Sequence, residues 1–268
     1  MRKRSKSALG GQSDDSVSAS SLVRGLEILR AFRASDPTLS NFDLMERTGL
    51  PKATVSRLTY ALVNMGYLIY QEELGRYSIG PSTVTLGYSA LSSMPVVKVA
   101  QPLLQRLVDR TGVAAALGTR SGLEMVYLAN ARAMGPVTLQ LNVGSHLPIW
   151  KTAMGLAYMV AMLPSARDEL VEQLVRHEPD NEKAIRASLD DAMTSSHAHG
   201  FVCSFGTYYS YINAVGVAFR PTDGSQLVAL TCGGIVDLLP REDCVGKVGD
   251  ALLETVRQLQ HCLEHGQT

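Results

Sequence analysis

Apolar positions change their spacing along this chain, and the changes divide it into segments. Residues 1–20 are rich in Ser, Gly, Asp and Lys with almost nothing to bury, and read as a disordered tail. From Leu22 the apolar residues recur at Leu22, Leu26, Ile28, Leu29 and Phe32, the spacing of one helix face, until Ser35-Asp36-Pro37 breaks it. Ser40 has the chemistry of an N-cap, with Asp43 three residues on as a weaker form of the capping box. The helix it opens offers Phe42, Leu44 and Met45 and stops near Gly49, a residue suited to the positive φ of a tight turn. Pro51 starts the next helix where its missing N–H costs nothing. Val55, Leu58, Ala61, Leu62 and Met65 follow at three- and four-residue spacing, so one buried face is expected. Gly66 ends that helix, and 68–70 and 77–79 read as a two-stranded wing joined by 71–76.

Beyond Pro81 the pattern predicts a helix over 84–91, a break at Ser92-Ser93 and Pro95, and an amphipathic helix from Val96 to Val108. After Gly112 the spacing turns to strands: 113–117 and 124–128 around a turn at Arg120-Ser121-Gly122, then 137–141. Helices are expected over 152–162, 167–176 and 182–197. Strands are expected over 200–203, 213–219 and 226–232, with Asp223-Gly224 as a turn, and a long helix over 240–261. The expected organisation is a tail (1–20), a winged helix-turn-helix (21–81), a linker (82–95) and an α+β domain around one sheet (96–268).

Composition narrows the setting more than the function. The 268 residues carry 25 Lys and Arg against 25 Asp and Glu, which by itself argues against a nucleic-acid binder. Split at residue 82, however, the first part carries 11 basic against 8 acidic residues and the remainder 14 against 17. The basic surplus therefore sits with the helix-turn-helix. Four cysteines without CxxC spacing suggest neither a metal site nor a disulfide framework, and no apolar run reaches membrane-spanning length. A cytoplasmic protein is expected, with no membrane contact.

A helix-turn-helix lays its second helix in the major groove of duplex DNA, its N-terminal residues toward the base edges. Those residues are Lys52, Thr54, Ser56 and Arg57. Arginine can hold guanine bidentately, threonine can bond a base or touch a thymine methyl, and Lys52 at a helix start suits a phosphate. Ser40 and, at the expected wing tip, Arg76 complete the candidate set. The chain contains no GxSxG, HExxH, Walker A or dinucleotide fingerprint, and its six histidines form no ligand set. Nothing calls for catalytic residues, a metal or a cofactor. Two other readings stay open: a small-molecule binder or enzyme that kept a vestigial winged helix, and a winged helix that pairs with protein.

Several runs, in order and spacing, resemble the IclR family of bacterial transcriptional regulators: Ser-Leu-Val-Arg-Gly-Leu-Glu-Ile-Leu from Ser21, Gly-Leu-Pro-Lys-Ala-Thr-Val-Ser-Arg-Leu from Gly49, and Met-Gly-Tyr-Leu from Met65. Gly-Arg-Tyr-Ser-Ile-Gly-Pro from Gly75, Gly-Ser-His-Leu-Pro from Gly144 and Thr-Ala-Met-Gly from Thr152 continue the series. The resemblance runs from Ser21 to about Leu259 and implies a GAF-like C-terminal domain that binds a small organic effector, such as an aromatic or other organic acid, and alters operator binding. It implies a homodimer formed partly through the first helix and linker, and further assembly to a homotetramer. The effector site it implies lies between the 144–155 loop and helix and the last strands, with Met154 and Asn213 lining it, and Trp150, Ser204, Thr231 and Gly233 as further candidates. The chain departs from the family pattern at Asn213, where Cys is frequent, at Gly233, where Ser is common, and over 203–211, where an acidic run gives way to Cys-Ser-Phe-Gly-Thr-Tyr-Tyr-Ser-Tyr. Trp150 and the tyrosines either line an aromatic pocket or pack in the core and on the surface.

Overall fold

The computed structural model describes residues 12–33, 35–133, 141–222 and 224–266. Two compact units emerge, Met1–Ala90 and Leu91–Thr268.

In the first unit, α1 (Gln12–Arg30) begins inside the stretch expected to lack structure, so residues 12–20 of that tail are helical. Extending a nucleated helix adds one hydrogen bond per residue fixed, so a polar sequence can continue it. Residues 1–11 lie outside the described residues. A short β1 (Leu39–Ser40) leads into α2 (Asn41–Thr48), which ends at Gly49 with φ +67°. Next come α3 (Lys52–Asn64), β2 (Leu68–Gln71) and β3 (Arg76–Ile79). The wing has three strands, in the order β1-β3-β2, rather than the expected two. Leu39 pairs with Tyr77 and Ser40 with Arg76. Two residues are too few for an alternating pattern, which is why β1 escapes the sequence.

The core of this unit is Ile28, Leu39, Leu44, Val55, Leu68 and Tyr77. The buried side of α3 is Val55 and Thr59, backed by the half-buried Leu58 and Leu62, while Ala61 and Met65 are exposed. The apolar spacing alone missed Thr59. Its hydroxyl donates to the Val55 carbonyl at 2.9 Å and meets the Tyr77 hydroxyl at 3.3 Å, so its polarity is satisfied in the core. The segment 82–95 is largely helical, within α4 (Pro81–Ser92).

The second unit opens with α5 (Pro95–Thr111), β4 (Ala114–Ser121), β5 (Glu124–Ala131) and β6 (His146–Pro148). Three helices follow, α6 (Ala153–Ala161), α7 (Pro164–His177) and α8 (Glu182–His199). The chain then forms β7 (Val202–Phe205), β8 (Ile212–Phe219) and β9 (Val228–Ile235). The strand expected over 137–141 falls, apart from Leu141, outside the described residues, as does Asp223 of the expected turn. The six strands form one antiparallel sheet, β6-β5-β4-β9-β8-β7. The long helix expected over 240–261 is interrupted: α9 (Arg241–Asp243) and a π-type turn (Cys244–Val248) precede α10 (Gly249–Glu264). Gly246, at φ −98° and ψ −107°, makes the break.

Helices cover both faces of the sheet. On one, Leu103, Leu104 and Leu107 of α5 and Leu252, Val256 and Leu259 of α10 pack on Leu117, Val215 and Leu230. On the other, Met154 and Met159 of α6, with residues of α7 and α8, pack on Ala116, Met125 and Ala229. Thr152 caps α6 by accepting from the Gly155 N–H at 3.2 Å. Only glycine fits at 155, since a Cβ there would lie 2.0 Å from the Ile149 carbonyl oxygen.

Candidate DNA-reading surface and effector cavity

The first half of α3 stands out from its unit. Lys52, Ala53, Ser56, Arg57 and Tyr60 are exposed and Thr54 is half-buried. Lys52 and Arg57 form no ion pair among the described residues, so this face carries uncompensated positive charge. Ser40 plays a different part. Its hydroxyl accepts from the Asp43 N–H at 3.2 Å and its own N–H donates to Asp43 Oδ2 at 2.8 Å, a complete capping box.

Arg76 departs most from its expected role. The wing tip is residues 72–75, with Glu72, Glu73 and Leu74 exposed, and Arg76 is the first residue of β3. Its guanidinium donates to Thr38 Oγ1 at 3.0 Å, to the Thr38 carbonyl at 3.1 Å and to Asp43 Oδ2 at 2.7 Å. Three bonds fasten the wing to the start of α2, and the tip itself is acidic. Arg47 makes a parallel tie, to the Ala31 carbonyl and Asp36 Oδ2. The Arg47 guanidinium holds the Asp36 carboxyl below the usual carboxylate range, and the Ser40 N–H does the same for Asp43.

In the second unit a cavity lies between the sheet and the start of α6. It exists because the sheet face beneath it is built of small side chains. Ser204, Ala214, Gly233 and Ala114 stand side by side across β7, β8, β9 and β4, and Thr231 and Ala116 form the next row. On β5 the pairing slips: Ala129 faces Leu117 but Tyr127 faces Gly118, leaving Leu128 as the extra residue of a bulge. Because strand residues alternate in face, that one residue puts Tyr127 on the cavity side with Asn130 and Arg132.

Of the residues expected in the effector site, Met154, Ser204, Thr231 and Gly233 line this cavity. Asn213 does not. It lies one residue from Ala214 and so on the opposite face, where its Nδ2 donates to the Leu239 carbonyl at 2.9 Å. Trp150 is also absent from the lining; it is buried in the core under α6, and its Nε1 donates to Glu178 Oε1 at 3.3 Å.

Sequence reasoning missed Tyr127, Asn130, Arg132 and Lys151, which supply much of the cavity's polarity. Arg132 donates to the Leu141 carbonyl and to Asn142 Oδ1, both neutral, and no carboxylate pairs with it among the described residues. Tyr127 makes no hydrogen bond through its hydroxyl among the described residues, and burial pushes its pKa far up, so it stays a neutral donor. Tyr208 and Tyr209 form one wall, their rings 4.2 Å apart, with Tyr211 stacked behind Tyr209 at 5.4 Å. Tyr208 titrates near 12, raised first by its hydrogen bond with Tyr209 and then by burial. The cavity can thus take an apolar or aromatic body with a negatively charged group.

Comparison with known proteins decides the family. A model of the IclR helix-turn-helix domain matches residues 21–72, and a model of the bacterial transcriptional regulator IclR C-terminal domain matches residues 88–261. The chain belongs to the IclR family. As a member of that family it is a DNA-binding transcriptional regulator. It is 30% identical over 242 residues to the HTH-type transcriptional regulator TsaQ1/TsaQ2 of Comamonas testosteroni, covering 90% of this chain and 87% of that one. An IclR-family regulator from Brucella abortus superimposes with a TM-score of 0.83 at 34% identity, covering 95% of this chain and 96% of the other. An IclR homologue from Microbacterium hydrocarbonoxydans, solved with 4-hydroxybenzoate, shares the fold at a TM-score of 0.71 and 19% identity, over 91% and 99% of the two chains. Among the described residues no helix is long and apolar enough to cross a membrane.

Proposed function

We propose that this regulator reads a two-fold operator through Lys52, Thr54, Ser56 and Arg57 of α3, and that a small aromatic or other organic acid in the cavity shifts its affinity for that operator. The observation that carries the effector class is the joint presence of Arg132, free of any carboxylate partner among the described residues, and the Tyr208–Tyr209 wall in one cavity. The Microbacterium homologue's 4-hydroxybenzoate supports the same chemistry. A homodimer supplies the two reading heads, and α1 and α4 offer the apolar surface for it: Leu22, Leu26, Val84, Leu86 and Tyr88 are all exposed. An effector acts by favouring one arrangement of those heads over another. Further assembly to a tetramer, and a cytoplasmic setting, complete the reading.

The test is selection of bound duplexes from genomic fragments, followed by titration of the winner at two salt concentrations with and without 4-hydroxybenzoate. A two-fold site whose affinity falls steeply with salt and shifts with an aromatic acid supports the reading. No enriched site overturns it. Light scattering of Leu86→Glu checks the dimer face, with a smaller particle expected.

A further inference from the structure

Glu178 lies outside the cavity, yet it lies beside one of the two cations, Arg132 and Lys151, that line it among the described residues. It caps the end of α7, and both of its carboxylate oxygens are fixed by neutral donors: Trp150 Nε1 on Oε1 at 3.3 Å and Asn181 Nδ2 on Oε2 at 2.9 Å. The carboxylate is therefore positioned without help from any cation. Lys151, which lines the cavity, lies across it, with Nζ 3.9 Å from Glu178 Oε2 and 4.4 Å from the centre of the Trp150 ring. The Lys151 contact is too long for a hydrogen bond, so the ammonium rests in the field of the carboxylate and on the face of the indole.

The two cations of the cavity are thus unequal. Arg132 is held by neutral oxygens and keeps its whole charge for a ligand, whereas Glu178 offsets the charge of Lys151. Building on the proposed role of the cavity as an organic-anion site, we propose that Glu178 is a specificity-determining residue that makes the cavity select monoanionic over dianionic ligands. One negative group on the ligand pairs with Arg132. A second must draw Lys151 away from Glu178 and then sit in the field of that fixed carboxylate. Selectivity here comes from a repulsive element as much as from an attractive one.

Trp150 is the sole tryptophan of the chain, so its fluorescence reports directly on the Lys151 ammonium resting on its ring. The experiment titrates the full-length protein with benzoate and with terephthalate near about pH 7.5, where their carboxyl groups are ionised. Ionic strength is held fixed, and affinity is read by calorimetry and by Trp150 emission. The expected result is tighter binding of benzoate than of terephthalate by the wild type, and a preference narrowed by about fivefold or more in Glu178→Gln. In a Lys151→Gln background the Glu178→Gln change should still narrow the preference, because the repulsion by the Glu178 carboxylate is removed, whereas Asn181→Ala, which loosens the α7 end and keeps that charge, should leave the ratio unchanged. An unchanged ratio in Glu178→Gln, or a wild type that prefers terephthalate, overturns the proposal while leaving the cavity as an anion site. Binding of neither probe, with no response to Arg132→Gln, overturns the anion-site reading itself and this proposal with it. Should Glu178→Gln fail to fold, Lys151→Gln alone decides: it must weaken terephthalate more than benzoate, and an equal effect on both overturns the proposal.

Discussion

The guanidinium of Arg76 and the backbone N–H of Ser40 converge on the same oxygen, Asp43 Oδ2, at 2.7 and 2.8 Å. One carboxylate thus closes the N-terminus of α2 and anchors the wing. Among the described residues the apolar core of this unit is small, six buried side chains, and such a tie adds to what holds the wing against the start of α2.

Arg76→Ala should lower the thermal stability of the DNA-binding unit by a few degrees and weaken operator binding without changing the order of preference among operator variants. Scanning calorimetry and a duplex panel check this, and a reordered panel would put Arg76 on the bases instead.

The same carboxylate predicts a pH effect. Asp43 titrates below its ordinary value of 3.8 in the folded protein, chiefly because the Ser40 N–H and hydroxyl favour its charged form. A depressed folded value means that the stabilisation is fully present above the unfolded value and is lost as pH falls through the folded one. The unit should therefore lose stability below about pH 4, and Asp43→Asn, less stable at neutral pH, should show a flatter decline there in chemical denaturation.

Arg57 and Lys52 should behave differently. Arg57→Ala is expected to relax base preference at one position of each half-site, costing about 1–3 kcal/mol on the preferred base. Lys52→Ala should weaken all duplexes evenly and reduce the salt slope by about one ion. Titrations of the duplex panel at two salt concentrations separate the two outcomes.

Ala116 is part of the small-residue floor of the cavity. Ala116→Leu should fill the space beneath the ligand, abolish the response to 4-hydroxybenzoate and leave operator binding intact, with the melting temperature of the second unit unchanged or raised. Loss of operator binding would show instead that the cavity residue supports the fold.

Gly155→Ala should destabilise the second unit by about 1–3 kcal/mol or more, because its methyl would meet the Ile149 carbonyl carbon at 2.6 Å as well as its oxygen. Denaturant unfolding measures it, and a neutral result would mean that the turn before α6 can shift.

The sequence by itself determined most of the helices and strands and the reading helix, but not β1, β6 or the break at Gly246. Capping chemistry and periodicity are local, and Ser40, Gly49 and Pro51 carry their instructions within a few residues of themselves. Of the six effector-site candidates, Met154, Ser204, Thr231 and Gly233 line the cavity, and of these Met154 lies in a run that resembles those of a known family. What only the tertiary structure decided was which side chains meet. Arg76 reaches Thr38 and Asp43, more than thirty residues away, and no local pattern encodes that distance. Asn213 missed the cavity by one residue because alternate strand positions face opposite ways, and Tyr127 reached it because a one-residue bulge reversed that alternation. Lys151 takes its meaning from Glu178, twenty-seven positions on, brought to it when α7 and the turn before α6 pack together. Local propensity fixes which elements form; strand register and packing fix which of their faces share a site.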